Sequence, residues 1–379
     1  MANDKDFLVN GPVSVGKDTK VTVGSITSSD IDLSTGNYFD DTLAANTTYT
    51  LSNAGDVQAF QLEVTGGVIG YNLASANYDG VSFSISGQEG GVTGLAFSVT
   101  GNKMFIIGQH TDAVHQYSLS TAFDLSTASY DSVTLSVSSQ DTTPWDVKFN
   151  NTGTKMYVVG STNDSIYQYS LSTAFDLSTA SYDSVSFSVS SQTGNPVAVA
   201  FNNDGTKMYI SDLGPHRILQ YSLSTGFDIS TASYDSVFLS IVSQSNNPRN
   251  LAFNPKGTEL YVVGLDQDTV FQYELSTAFD LSTASYNNVS FNTSSESTYP
   301  LGLAFSTDGA KMYVAGSNSD SVHQYSTGIA ATLTWPSSIE WAGGVAPAAP
   351  ANGETDVFTF TTDDGGTTYT GVKSIDNAS

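Results

Sequence analysis

Short apolar runs, separated by polar turns, fill the middle of the chain. Residues 197–201 form one such run, and Asn202, Asn203, Asp204 and Gly205 follow with the composition of a tight turn. Residues 207–210 are a second run, 218–223 a third and 237–242 a fourth, the last two joined by the polar link 227–235. None of these runs has helical periodicity, so the pattern predicts four short strands. The second run, as at Met156, Tyr157, Val158 and Val159, is apolar on both faces, which fits a strand covered on both sides. The fourth alternates, with Val185, Phe187 and Val189 facing one way and Ser184, Ser186, Ser188 and Ser190 the other, which fits a half-exposed strand.

The same four runs recur. Tyr117, Tyr169, Tyr221, Tyr273 and Tyr325 each follow a glutamine at a step of 52 residues, and Tyr78, Tyr130, Tyr182, Tyr234 and Tyr286 keep the same step. A fixed period of this size implies units that bury apolar surface against their neighbours. The small Ala96, Ala200, Ala252 and Ala304 lie in the first run and suit a crowded axis. The runs are therefore assigned as strands A (innermost) to D (outermost) of propeller blades. The A–B wording, such as residues 199–209, resembles the tandem repeats of surface-layer-type β-propellers. Complete A-B-C sets begin near Leu95, Val147, Val197, Leu251 and Leu303, and a D-type run at 81–85 precedes the first of them. Pairing 81–85 with 322–326 would close the ring without an open sheet edge. The expected fold is all-β: a five-bladed β-propeller of four-stranded blades, closed by strand exchange through residues 81–85.

The flanks do not repeat. They carry residues 32–39, 43–51 and 60–67 before the array, and Trp335, Pro336, Ile339, Glu340 and Trp341, then residues 356–369, after it. Together these segments resemble a small β-domain of bacteriophage tail-fibre and virion structural proteins. The expected domains are an N-terminal β arm at 1–27, with short strands at 7–9 and 21–23, a split β-sandwich-like domain at 28–67 plus 329–379, and the inserted propeller at 68–328. The resemblance implies a virion appendage made in a host cytoplasm. Its partners would be other virion proteins and a host cell-surface glycan or protein, and it would assemble as a homotrimer. A capsid decoration or head fibre without a specific ligand, and a glycan-cleaving spike, are the alternatives.

Charge and composition narrow the chemistry. The chain has 379 residues, with 37 acidic against 12 basic and a formal net charge of -25. Such a surface repels phosphate backbones and anionic bilayers, so neither nucleic acid nor membrane insertion is expected. No cysteine is present, which excludes disulfides and thiolate metal sites.

Candidate site residues come from the loops that differ between repeats. The C–D links and the glycine-bearing A–B turns are near-copies, whereas the D–A and B–C links diverge. On this reading the divergent face recognises a ligand. Trp145 and Tyr299 would stack on it, and Arg249, Asn247 and Asn195 would donate hydrogen bonds. Asp141, Thr143, His110, His216 and Arg217 complete the set. Drift in unconstrained loops would leave the same divergence. His115 and His323 fall at a C-strand position taken elsewhere by Tyr167, Leu219 and Phe271, so they read as packed rings. Asp112, Asp164, Asp268 and Asp320 each offer one carboxylate, too few for a calcium loop, and read as turn caps. Asp141 and Asp146 flank Trp145, but the sequence places no partner acid opposite them. No enzymatic activity, catalytic residue, metal or cofactor is therefore expected.

Overall fold

The computed structural model describes residues 21–376. The described chain divides into two compact units, 21–69 with 329–376 and Gly70–Gly328. The chain is all-β, and the second unit is a propeller-like arrangement of four-stranded sheets.

Among the described residues there are five such sheets, all antiparallel. In the third, strand A is Pro196–Phe201, B is Lys207–Asp212, C is Arg217–Leu223 and D is Ala232–Ser240. The fifth takes A, B and C from Pro300–Phe305, Lys311–Gly316 and Ser321–Ser326, and its outer strand is Asn77–Ser84. Val81 pairs with Gln324 and Phe83 with Val322 across that junction. The A strand of the first sheet, Val92–Phe97, packs on the A strands of both the second and the fifth sheets. Burial follows this layering. Met156, Tyr157, Val158 and Val159 of the second B strand are fully buried.

Polar staples join the sheets. Gln116 Nε2 donates to Asp131 Oδ2 of its own sheet at 2.8 Å, and its Oε1 accepts from Leu177 N in the next C–D link at 2.8 Å. Gln168, Gln220 and Gln324 repeat the arrangement. Lysines from the B strands join the same carboxylates, Lys103 to Asp131 and Lys155 to Asp183 at 2.7 Å. The fourth sheet breaks the rule. Glu259 replaces the lysine, Asn287 replaces the aspartate, and Glu259 stands directly opposite Glu274.

Three local features differ from the sequence expectation. Each D strand starts before its tyrosine, so Tyr234 pairs with Tyr221 inside the ladder instead of lying in a link. A bulge between Gln220 and Tyr221 absorbs the offset. The C–D links contain one-turn 3₁₀ helices such as Leu125–Thr127, which Asp124 caps by accepting from Ser126 N at 3.0 Å. The turn residues Asp112, Asp164, Asp268 and Asp320 take left-handed φ values of 44–50°, and each carbonyl accepts a backbone N–H from the end of a D strand.

The first unit holds a five-stranded mixed sheet, in the order Tyr38–Thr42, Gln58–Thr65, Thr355–Thr362, Tyr369–Ile375 and Ile339–Trp341. Phe60 and Phe360 stack in its core with ring centroids 4.7 Å apart. The expected strand at 7–9 lies outside the described residues. That at 21–23 is reduced to a single bridge from Val23 to Tyr38.

Candidate functional site: the propeller axis

The innermost strands share an apolar fourth position and a phenylalanine at the sixth, and differ at the second, third and fifth. Their third position reads Gly94, Asp146, Ala198, Asn250 and Gly302, and their fifth reads Ala96, Lys148, Ala200, Ala252 and Ala304. The second sheet alone contributes a carboxylate and an ammonium, where its neighbours have little or no side chain. Asp146 is fully buried. Asn250 Nδ2 donates to Asp146 Oδ1 at 2.9 Å, and Val199 N donates to Oδ2 at 3.1 Å. Lys148 Nζ donates to Leu95 O at 3.0 Å, and more weakly to Asp146 Oδ1 and Asn250 Oδ1, both at 3.3 Å. Burial pushes the Asp146 carboxyl above its ordinary range, and Lys148, Asn250 and Val199 N oppose that rise. Gly94 makes room for the cluster, since a Cβ there would stand 2.7 Å from Asp146 Oδ1.

A cavity of about 250 Å³ lies on this axis at the C-terminal ends of the A strands. Its wall is partly apolar, with Leu95, Leu251, Leu303 and the rings of Phe97, Phe149, Phe201 and Phe305. Ser98, Asn150 and Asn202, which begin the A–B turns, belong to the same lining, and Lys148 is its one titratable group. The cavity therefore opens among the near-identical A–B turns, not among the divergent loops from which the sequence-based site was drawn.

Of the expected site residues, the structure brings Trp145 and Arg249 together. The Arg249 guanidinium lies over the Trp145 ring at 4.8 Å, and Tyr299 interacts with it electrostatically. The others are dispersed in turn-building roles. Asp141 is buried and accepts from the backbone of Thr143, Thr162 and Asn163. Thr143 Oγ1 accepts from Thr162 Oγ1 at 2.9 Å. The Asn195 and Asn247 carbonyls close loops by accepting from Leu213 N and Leu265 N. His110 is exposed, and its backbone N–H donates to buried Glu89. His216 occupies the left-handed turn position held elsewhere by aspartate. Arg217 is paired with Asp212 Oδ2 at 3.0 Å and lies over Phe238. These residues vary because each B–C turn is fastened to its D–A link by a different polar group, such as Glu89, Asp141 or Asp266.

Sequence reasoning passed over Lys148 and Asn250. The available signal was a break in the repeat, a lysine where four copies have alanine.

A propeller-like arrangement of four-stranded sheets with a buried polar cluster among its innermost strands defines the class, a β-propeller with an axial pocket. The chain belongs to the family described as "Lactonase, 7-bladed beta-propeller", whose model matches residues 54–283. No curated protein matches the chain. Among solved structures, a candidate 6-phosphogluconolactonase from Bacteroides uniformis is 15% identical, with 59% of this chain and 64% of that one covered and a TM-score of 0.39. A second candidate 6-phosphogluconolactonase, from Bacteroides fragilis, is 14% identical over 62% of this chain and 67% of that one, with a TM-score of 0.39. A chain of a nidogen/laminin complex is 12% identical over 59% of this chain and 72% of that one, with a TM-score of 0.38. This chain thus spans a little under two thirds of the first of these structures, and likeness at such scores carries no argument about activity.

Family membership corrects several expectations. The resemblances to phage tail-fibre domains and surface-layer repeats give way to the lactonase family. With them go the virion appendage, the virion location and the expectation of a protein without enzymatic activity. The error has a physical cause. Trp-Pro and Gly-Gly-Thr-Thr stretches are turn and edge-strand chemistry that any small β-domain can use. The family's description gives seven blades, whereas the described residues here form five four-stranded sheets.

Proposed function

We propose that this chain hydrolyses a small cyclic ester in the axial cavity, with Lys148 polarising the carbonyl group. We also read its five sheets as one closed five-bladed ring. The observation that carries the functional reading is the position of Lys148. It is the single ammonium in the lining of a largely apolar cavity, hydrogen-bonded to buried Asp146 and Asn250. The closed ring is supported by the unbroken succession of A strands, in which the first packs on the last.

The chemistry follows from these placements. A lactone ring is compact and mostly apolar, and the phenylalanine-lined wall suits it. Water attacks the carbonyl carbon, the ring C–O bond breaks and a hydroxy acid forms. The carbonyl oxygen gains negative charge on the way, and an N–H from Lys148 meets it. Two of the ammonium's present contacts are long, at 3.3 Å, so one donor can turn to the ligand. A donor placed this way contributes roughly 10²–10³ in rate. Asp146 holds the ammonium in position and does not itself line the cavity.

The test is a pH-stat assay of the full chain against γ-, δ- and ε-lactones. Turnover above the uncatalysed rate is expected, with Lys148→Met lowering kcat/KM by about 100-fold. Absence of turnover across the panel, or full activity in Lys148→Met, would overturn the reading.

A further inference from the structure

At the N-terminal end of the fourth A strand stands a cation with no counter-ion among the described residues. The chain has two arginines, Arg217 and Arg249. Arg217 is fully engaged, with Nε on Asp212 Oδ2 at 3.0 Å and Nη2 on Gln192 O at 2.7 Å. Arg249 is only 7% exposed, yet its Nε and Nη1 are buried with no hydrogen-bond partner. No described acid lies within ion-pair distance of it, although the chain contains 37 acidic residues. Its visible partner is the face of Trp145, reached from the fourth sheet to the second. Tyr299, in the link before the fifth A strand, is 45% exposed.

A buried guanidinium is strongly disfavoured unless hydrogen-bonded anions surround it, and a single aromatic face offsets only part of that. Among the described residues no carboxylate meets this arginine, which leaves two of its donors for a ligand. We propose that Arg249, placed over the Trp145 ring, binds a small oxyanion, a carboxylate or a phosphate, at the D–A end of the propeller axis. Planar guanidinium donors match the oxygen spacing of either group. The site is distinct from the Lys148 cavity, which opens among the A–B turns. Its test therefore does not depend on lactone turnover.

The experiment titrates the full chain with sodium phosphate and, separately, sodium acetate, at ionic strength held constant with sodium chloride. Calorimetry and tryptophan fluorescence follow binding. Saturable binding of one or both anions is expected, with competition between them if both bind. Arg249→Gln should weaken binding at least about tenfold, Arg217→Gln should leave it within twofold, and Trp145→Phe should remove the fluorescence change but keep binding. Arg249→Lys retains the charge without the planar fork and should bind at intermediate strength, which keeps the test valid if the glutamine variant folds poorly. No saturable response from the wild type, or equal affinity in Arg249→Gln and Arg249→Lys as in the wild type, overturns the proposal. Equal loss in the Arg217 variant overturns it as well, by showing general charge screening.

Discussion

The outer strands of the propeller unit and its axis obey different rules. Outside, the Gln116–Asp131–Lys103 staple recurs almost unchanged in four of the five sheets. On the axis, the second sheet carries Asp146 and Lys148 where the others carry glycine, alanine or asparagine. Repetition serves the contacts that must be the same from one sheet to the next. Departure from it marks positions that only one chemical group can fill. The fourth sheet departs on the outside as well, at Glu259, Glu274 and Asn287, and so supplies an internal control for what a broken staple costs.

The largest expected effect is on the axis. Asp146→Ala strands the Asn250 and Val199 donors and leaves Lys148 without its anion, for a loss of about 3–5 kcal/mol in urea unfolding. Asp146→Asn keeps part of the hydrogen bonding and should cost less. A loss under about 1 kcal/mol for the alanine variant would mean that the cluster is not a structural unit. Next comes the staple. Gln116→Ala leaves Leu177 N buried without an acceptor and should cost about 1–3 kcal/mol. Gln272→Ala should cost distinctly less, because Gln272 Oε1 already has no partner. Equal losses for the two would break the comparison.

Acid should weaken the outer frame specifically. Burial pushes Asp79, Asp131, Asp183 and Asp235 upward, but hydrogen bonds from lysine, serine and glutamine outweigh it and hold all four below their ordinary value of 3.8. A depressed carboxyl stabilises the fold above its unfolded pKa, and that stability is lost as pH falls through the folded value, here below about pH 4. Asp146 has the opposite sign. Its raised carboxyl favours the fold when protonated, and that contribution fades as pH rises through its folded pKa. Urea midpoints of Asp131→Asn against wild type should converge below pH 4, and parallel curves would contradict the assignment. The smallest effect is a repair. Glu259→Lys with Asn287→Asp recreates the ion pair of the other sheets and removes a like-charge cross-strand pair, for a gain of up to about 1 kcal/mol. A loss of stability would show that Glu259 is held for its bonds to Tyr261 and Asn254.

Much of the strand pattern was legible because period-two alternation and a 52-residue step are local signals. Alternation alone places Tyr234 in a link, yet it lies in a strand, because a bulge is invisible to alternation. The site was harder. Asp146 meets Asn250 across 104 residues, and no spacing rule connects them. The varied loops drew attention through their aromatic and charged residues. Most of those residues tie down turns, and Trp145 with Arg249 is the pair the fold brings together.

The account rests on the axial cavity as the place where substrate sits. Crystals of the full chain soaked with δ-valerolactam, an amide that mimics the lactone ring, test this directly. Density for the lactam within the phenylalanine-lined cavity, its carbonyl oxygen on Lys148 Nζ, is the predicted result. Density only among the D–A and B–C loops, with the cavity empty, would contradict it.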